Sequence, residues 1–182
     1  MKKKILLWFV LLLPYLGLFF IWQYHESEIA KIANASFIII SKKEMTLSVC
    51  DYKGKMLDEY PIACGKNLGD KQIKGDMRTP EGIFTICDIQ DAAHWTHDFG
   101  DGNGKIKGAY GAFFIRLLTP GHQGIGIHGT HDEESIGTRA SEGCIRLQNE
   151  NLLKLLKFIH VGTVVVITPS TEDLLVKKIP IK

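Results

Sequence analysis

From Ile5 to Trp22 the chain carries no charged residue, and Lys2, Lys3 and Lys4 stand immediately before it. A run of this length matches the roughly 17–25 residues that a helix needs to cross a bilayer. The pattern predicts a transmembrane helix within residues 1–24, with Trp22 and Tyr24 at the far interface and the lysines on the cytoplasmic side. Pro14 falls inside it, and membrane helices tolerate such a proline. A cleaved signal peptide is the competing reading, with Ala33-Asn34-Ala35 as the cleavage site. That triplet lies well beyond the apolar run, past His25, Glu26, Glu28 and Lys31. Residues 25–35 then read as a linker.

After Ser36 the period changes. Phe37-Ile38-Ile39-Ile40 is a short β-branched run, and Met45, Leu47 and Val49 alternate with Thr46 and Ser48, as a half-buried strand requires. Lys53-Gly54 is a turn signal, with Met56 to Ala63 as the returning strand of a hairpin. Thr79-Pro80-Glu81-Gly82 fits a type I turn, followed by a strand over Ile83 to Ile86. Residues 88–112 hold His94, Trp95, His97 and five glycines from Gly100 to Gly111. They read as a long surface loop, a common form for a functional lid. Phe113 to Leu118 and Gly124 to Gly129 read as two more strands. Asn149 caps a predicted helix from Glu150 to about His160, with Leu152, Leu155, Leu156 and Ile159 on one face and Gly162 at its end. Thr163 to Ile167 is the last strand. Many short strands, few helices and regular turns predict a mostly β domain over 36–168, a sandwich or barrel-like fold with one or two short helices. Residues 169–182 read as a tail.

Composition narrows the function. The chain has 182 residues, is 45% apolar and 23% charged, and has a net charge of +2. Lysines and acidic residues are interspersed rather than gathered into a basic stripe, which argues against nucleic acid as a partner. If the apolar run directs export, Cys50, Cys64, Cys87 and Cys144 lie in a compartment where they can pair. A hairpin turning at Lys53-Gly54 sets Cys50 opposite Leu57 rather than Cys64, so no pairing is dictated, and buried free thiols are the preferred reading of Cys50, Cys64 and Cys87.

The chemistry concentrates in Gly126-Ile127-His128-Gly129-Thr130 and Ser141-Glu142-Gly143-Cys144-Ile145-Arg146-Leu147. A thiol becomes a nucleophile when an imidazole takes its proton, and a nearby cation lowers its pKa. His128 and Arg146 can supply both, so that Cys144 would react with electrophiles well below the ordinary thiol pKa of about 8.5. Gly143 admits a substrate close to the backbone, and the amides of Gly143 and Cys144 can hold an oxyanion. Arg146 can also grip a carboxylate with its planar fork. A single His and Cys are weak evidence taken alone, because a cysteine is more often a small buried hydrophobe. His94-Trp95-Thr96-His97 and His128-Gly129-Thr130-His131 lack a second ligand pair at zinc spacing, so no metal is expected, nor any cofactor. Asp132, Glu133 and Glu134 read as a solvated acidic loop. Trp95 and Tyr110 suit core and cleft equally.

The two motifs, with Cys64-Gly65-Lys66 and the stretch from Gly75 to Gly82, resemble the L,D-transpeptidase catalytic domain, the YkuD-type family, from about Ser36 to Ile167. The resemblance implies that Cys144 is the nucleophile and His128 its base and acid. It places the Gly129 carbonyl where the imidazole is oriented and Ser141 near the thiol. Gly143 and Cys144 then line the oxyanion site, with Arg146 beside it. Many members have His where this chain has Glu142, whose carboxylate would raise the thiol pKa if it faced inward, so it is expected to point outward. The implied substrate is the peptidoglycan stem peptide, cut at the bond between a diamino acid and D-alanine. The implied place is the extracytoplasmic side of a bacterial cytoplasmic membrane, anchored once. A second stem as acceptor gives a 3–3 crosslink, water makes an L,D-carboxypeptidase, and a protein amine makes a lipoprotein-anchoring enzyme. Sortase-like enzymes also use His, Cys and Arg but spread them far apart in sequence. A serine penicillin-binding enzyme needs a Ser-x-x-Lys that is absent here, and a papain-like enzyme would place Cys before His. A non-catalytic wall-binding module is the reading from a different class, and it predicts loss of one of these residues.

Overall fold

The computed structural model describes residues 17–23, 36–100, 102 and 104–177. Chain contacts divide it into two units, Met1–Ala35 and Ser36–Lys182. In the first, residues 17–23 are helical (α1), and the rest of the predicted transmembrane segment lies outside the described residues. No described helix is long and apolar enough to cross a membrane.

The second unit is mostly β. Its strands are β1 (Ser36–Ser41), β2 (Thr46–Asp51), β3 (Met56–Gly65), β4 (Gly82–Asp91), β5 (Thr96–Asp98), β6 (Lys105–Lys107), β7 (Phe113–Leu118), β8 (Gly126–His128), β9 (Arg139–Ser141), β10 (Ile145–Leu147) and β11 (Val164–Thr168). Helices α2 (Asn149–Leu155) and α3 (Thr171–Lys177) complete it. The main sheet runs β10-β8-β7-β4-β11-β1-β2-β3-β9, and a further pairing of β10 with β3 closes eight of these strands into a ring. Closure leaves those eight strands paired on both sides, which removes the sticky edges of an open sheet. Strand β9 branches from the end of β3 in parallel, Cys64 opposite Arg139.

The alternation in the sequence is the alternation of the wall. Ile38 and Ile40 point inward, as do Leu47 and Val49. Their register brings Ile38 beside Val49 and Val165, and Ile40 beside Leu47 and Ile167. Ile115, Ile127 and Ile145 continue this lining, and Leu152 and Leu155 of α2 pack into the same cluster. Leu156 and Ile159 pack against its margin, as the predicted apolar face requires, although the α-helix ends at Leu155.

Several local expectations change. Asn149 is the first helical residue rather than the cap, which is Gln148. A bulge between Val49 and Cys50 sets Cys50 opposite Met56, not Leu57. Thr79 to Glu81 forms no turn, and the chain turns earlier, where the Asp76 amide donates to the Ile73 carbonyl. The stretch 88–112 is not a featureless loop. It carries the end of β4 and then the β5–β6 hairpin, with Thr96 opposite Lys107. All four cysteines are free; Cys50 and Cys64 are buried as expected, but Cys87 is exposed. The segment after residue 168 includes α3, whose Asp173 is fully buried.

Candidate active site

Strands β8 and β10 run parallel with Ile127 beside Ile145 and His128 beside Arg146. Side chains alternate along a strand, so the two isoleucines enter the core while His128 and Arg146 share the opposite face. Two residues before each on that face stand Gly126 and Cys144. A cavity of about 400 Å³ opens there, lined by Cys144, His128, Arg146 and Ser141, with Glu142 and His97 at its wall. Sequence neighbours and distant segments thus converge because one short parallel pairing holds them in register.

The imidazole of His128 is buried. Its Nδ1 donates to the Gly129 carbonyl oxygen at 2.6 Å, which leaves Nε2 as the acceptor nitrogen. The ring is stacked on Phe114, with centroids 5.5 Å apart, and met edge-on by Tyr110 at 4.9 Å. Burial lowers its pKa to about 4, against the Gly129 bond that raises it, and Arg146 and His97 lower it further. Gly129 cannot be replaced without displacement. A Cβ there would lie 2.1 Å from Asn149 Oδ1 and 2.9 Å from the Cα of Gly111. Asn149, read from sequence only as a cap, braces this turn. It accepts from the Thr130 amide and donates to the Thr130 carbonyl at 2.8 Å. Glu133, of the acidic run, in turn accepts from the Asn149 backbone amide at 3.0 Å.

Cys144 is half-buried. Its thiol donates to the Gly124 carbonyl at 3.2 Å. Burial pushes the thiol up to about 11; the Gly126 amide, Arg146 and Lys71 act the other way, and Glu142 adds to the rise. The resting pair is therefore a neutral thiol and a neutral imidazole. This reverses the expectation of a thiol reactive well below its ordinary pKa. Ser141 ties the turn before the thiol: its hydroxyl accepts from the Gly143 amide at 3.0 Å and donates to the Cys144 carbonyl at 2.5 Å. The Gly143 amide, expected from the sequence to hold an oxyanion, is thereby already engaged. Gly143 has φ +131° and a Cβ there would lie 2.7 Å from the Arg78 carbonyl oxygen, which only glycine tolerates. The Gly143 carbonyl accepts from buried Thr79 Oγ1 at 2.9 Å, and the same hydroxyl accepts from the Gly65 amide at 2.8 Å. Thr79 thus joins the β3 end to the turn before Cys144, a role that its place in an expected turn concealed.

The guanidinium of Arg146 lies over the Phe99 ring at 5.3 Å and makes no hydrogen bond or ion pair among the described residues. Its fork is available to a ligand. Glu142 does not point outward. It lines the cavity, and its Oε2 is 3.1 Å from His97 Nε2, while Tyr110 OH is 3.0 Å from His97 Nδ1. The β5–β6 hairpin is therefore bound to the turn before Cys144 through a side-chain relay, and Trp95 and Tyr110 both take cleft positions. His97 is engaged in this relay and His131 packs on Phe99 at 5.2 Å. Among the described residues no three metal-ligating side chains gather. Opposite the relay, Asp76 accepts from Lys71 Nζ and from the amides of Gln72, Ile73 and Arg78. These bonds hold its carboxyl well below the usual range, against the burial that would raise it.

Known proteins share this arrangement of sequence and fold. The chain is similar to YqjB of Bacillus subtilis, at 31% identity over 155 residues that span 84% of this chain and 81% of that one. The fold is similar to an L,D-transpeptidase from Mycobacterium smegmatis, with a TM-score of 0.56 at 20% identity, covering 73% of this chain and 58% of that one. It is also similar to the catalytic domain of an E. faecium L,D-transpeptidase solved by NMR, with a TM-score of 0.54 at 20% identity, covering 74% of this chain and 98% of that domain. The chain thus spans a little over half of the mycobacterial structure and accounts for nearly the whole of the isolated catalytic domain. The sequence profile of the YkuD family, the L,D-transpeptidase catalytic domain, matches residues 35–167, which is the closed barrel from its first strand to its last, and the chain belongs to that family.

Proposed function

We propose that the protein is an exported cysteine acyltransferase that crosslinks peptidoglycan, an L,D-transpeptidase held at the outer face of a bacterial cytoplasmic membrane by its N-terminal segment. The observation that carries the reading is that Cys144 and His128 line one cavity, with His128 Nδ1 committed to Gly129 and Nε2 left to receive a proton.

In the first half-reaction the Cys144 sulfur attacks the carbonyl carbon between the diamino acid and the terminal D-alanine of a tetrapeptide stem. The thiol proton passes to His128 Nε2, the C–S bond forms, and the C–N bond breaks as His128 returns that proton to the departing nitrogen. D-Alanine leaves and a thioester remains. In the second half-reaction the amine of another stem attacks the thioester. The C–N bond forms and the C–S bond breaks. Of the two protons that the original ammonium loses, one ends on the Cys144 sulfur and the other goes to solvent. A neutral resting pair suits this scheme, because the proton moves during attack rather than before it. Arg146 and the Cys144 amide face the oxygen that gains charge. Ser141, Gly143 and Gly129 position the turn and the imidazole.

Support for the anchor comes from the chain itself: three lysines, an uncharged run through Trp22, and large exposed apolar side chains from Leu18 to Trp22 in α1. Water as acceptor gives a carboxypeptidase and a protein amine gives a lipoprotein-anchoring enzyme, both from the same thioester. The decisive experiment incubates the full chain in detergent with tetrapeptide-bearing muropeptides and follows products by mass spectrometry. A 3–3 linked dimer with release of D-alanine is expected. Tripeptide alone would reassign the enzyme as a carboxypeptidase, and no thioester on Cys144 would refute the acyl-transfer reading.

A further inference from the structure

The family resemblance leaves one residue unexplained. Glu142 stands two positions before the nucleophile, inside the cavity, where it adds to the rise in the thiol pKa. A carboxylate beside a nucleophile that must become anionic is a cost. The fold nevertheless holds it there deliberately. His97 Nε2 fixes Oε2 at 3.1 Å, and Tyr110 fixes the far side of the same imidazole at 3.0 Å. The second oxygen, Oε1, carries no hydrogen bond among the described residues, and the side chain is 35% exposed. Neither neighbouring cation makes a hydrogen bond or ion pair with it, although Arg146 feels its charge through space. Lys71 is paired with Asp76 at 2.8 Å, and Arg146 lies over Phe99. The site thus presents one oriented, half-open carboxylate oxygen in the cavity that holds the thiol.

We propose that Glu142 is the docking point for the cationic amine of the acyl acceptor, and so a specificity-determining residue of the second half-reaction. The inference rests on the acyl-transfer reading above and assigns a residue to the binding of its ammonium acceptor. A bound ammonium would neutralise the carboxylate and complete its hydrogen bonding. It would be placed beside the thioester that its amine must attack, which is the gain from proximity. The β5–β6 hairpin then acts through His97 as the support that aims the carboxylate.

Two half-reactions allow the test to separate this idea from general damage. Wild type, Glu142→Gln and Glu142→Asp are assayed as full chains with one tetrapeptide donor, and thioester formation is timed by intact mass. The thioester is then partitioned between water, 1,5-diaminopentane as cationic acceptor and hydroxylamine as largely uncharged nucleophile. Glu142→Gln is expected to form the thioester faster, because the thiol pKa falls. It is also expected to raise KM for the diamine about tenfold or more, the scale of losing one charge-assisted hydrogen bond. Hydroxylamine capture should keep its KM, and Glu142→Asp should recover part of the diamine affinity. A merely structural Glu142 would slow both half-reactions together. An unchanged diamine KM in Glu142→Gln, or an equal loss for diamine and hydroxylamine, would overturn the proposal while leaving acyl transfer intact. Absence of any thioester in the wild type would instead overturn the acyl-transfer reading and this inference with it.

Discussion

Cys144 and His128 differ from an ion-paired thiolate and imidazolium in a way that can be measured. With the thiol raised to about 11 and the imidazole lowered to about 4, the neutral pair persists between those values. Alkylation of Cys144 by iodoacetamide should therefore be slow at neutral pH and rise only in the alkaline range, whereas a steep rise below pH 7 would contradict the neutral pair. The imidazole shift also has a stability consequence. A histidine depressed from 6.5 to about 4 binds more protons in the unfolded chain than in the folded one across that window. Stability should fall as pH drops from 6.5 towards 4, by up to about 3 kcal/mol, and His128→Gln should flatten that part of the profile in chemical denaturation. Arg146→Lys keeps the charge but loses the planar fork over Phe99. It should slow thioester formation at least about tenfold, a loss of roughly 1.4 kcal/mol, with little change in melting temperature. Normal acylation with a large drop in melting temperature would make Arg146 a structural residue. Cys144→Ser should remove thioester formation and leave melting unchanged, since a hydroxyl is far less acidic than a thiol.

Among the secondary-structure elements, α3 has the clearest energetic role. Its Asp173 accepts from the Gly69 and Ser170 amides and pairs with Lys42 at 3.2 Å and Arg139 at 2.8 Å, and Lys42 also reaches Glu81 at 2.7 Å. Asp173 and Lys42 have no exposed side chain. These partners hold the Asp173 carboxyl well below the usual range, against the burial that would raise it. The depressed pKa means a contribution present above the unfolded value of about 3.9 and lost as pH falls below it towards the folded one. Asp173→Ala would leave buried Lys42 with Glu81 as its only carboxylate, unpair Arg139 and take the acceptor from the Gly69 and Ser170 amides, and should cost roughly 3–5 kcal/mol, read by urea unfolding. The same cluster reaches the site, since Lys42 also donates to the Thr79 carbonyl at 3.5 Å and the Thr79 hydroxyl lies between Gly65 and Gly143. Removal of α3 should therefore reduce activity beyond the loss of folded protein.

At the level of the whole chain, the barrel core among the described residues is drawn from residues 38 to 167. A fragment of residues 25–182 is expected to be soluble without detergent, to melt at the same temperature as the full chain and to form the thioester. The full chain is expected to sediment with membranes and to need detergent for release. Insolubility of the fragment together with loss of thioester formation would show that the run packs into the fold.

The strands and the placing of Cys144 and Arg146 were legible because each depends on near neighbours. Alternation put Ile38, Ile40, Leu47 and Val49 on one side of their strands whatever they would later meet, and the spacing of Cys144 and Arg146 put both on one face. The apolar α2 face was legible for the same reason. Ring closure was not, because the β10–β3 pairing joins Arg146 to Ala63, and nothing local to either strand marks it. The inward turn of Glu142 was set by His97, 45 residues away. The neutral state of Cys144 was set by burial, which a motif cannot express. Asn149, Thr79 and Asp173 gained their roles from groups far along the chain, Asp173 from a Gly69 amide 104 residues distant. Periodicity and motif spacing are properties of adjacent residues and survive in the bare sequence. Orientation, desolvation and long-range hydrogen bonds arise only when distant segments are brought together, so the fold alone decided them.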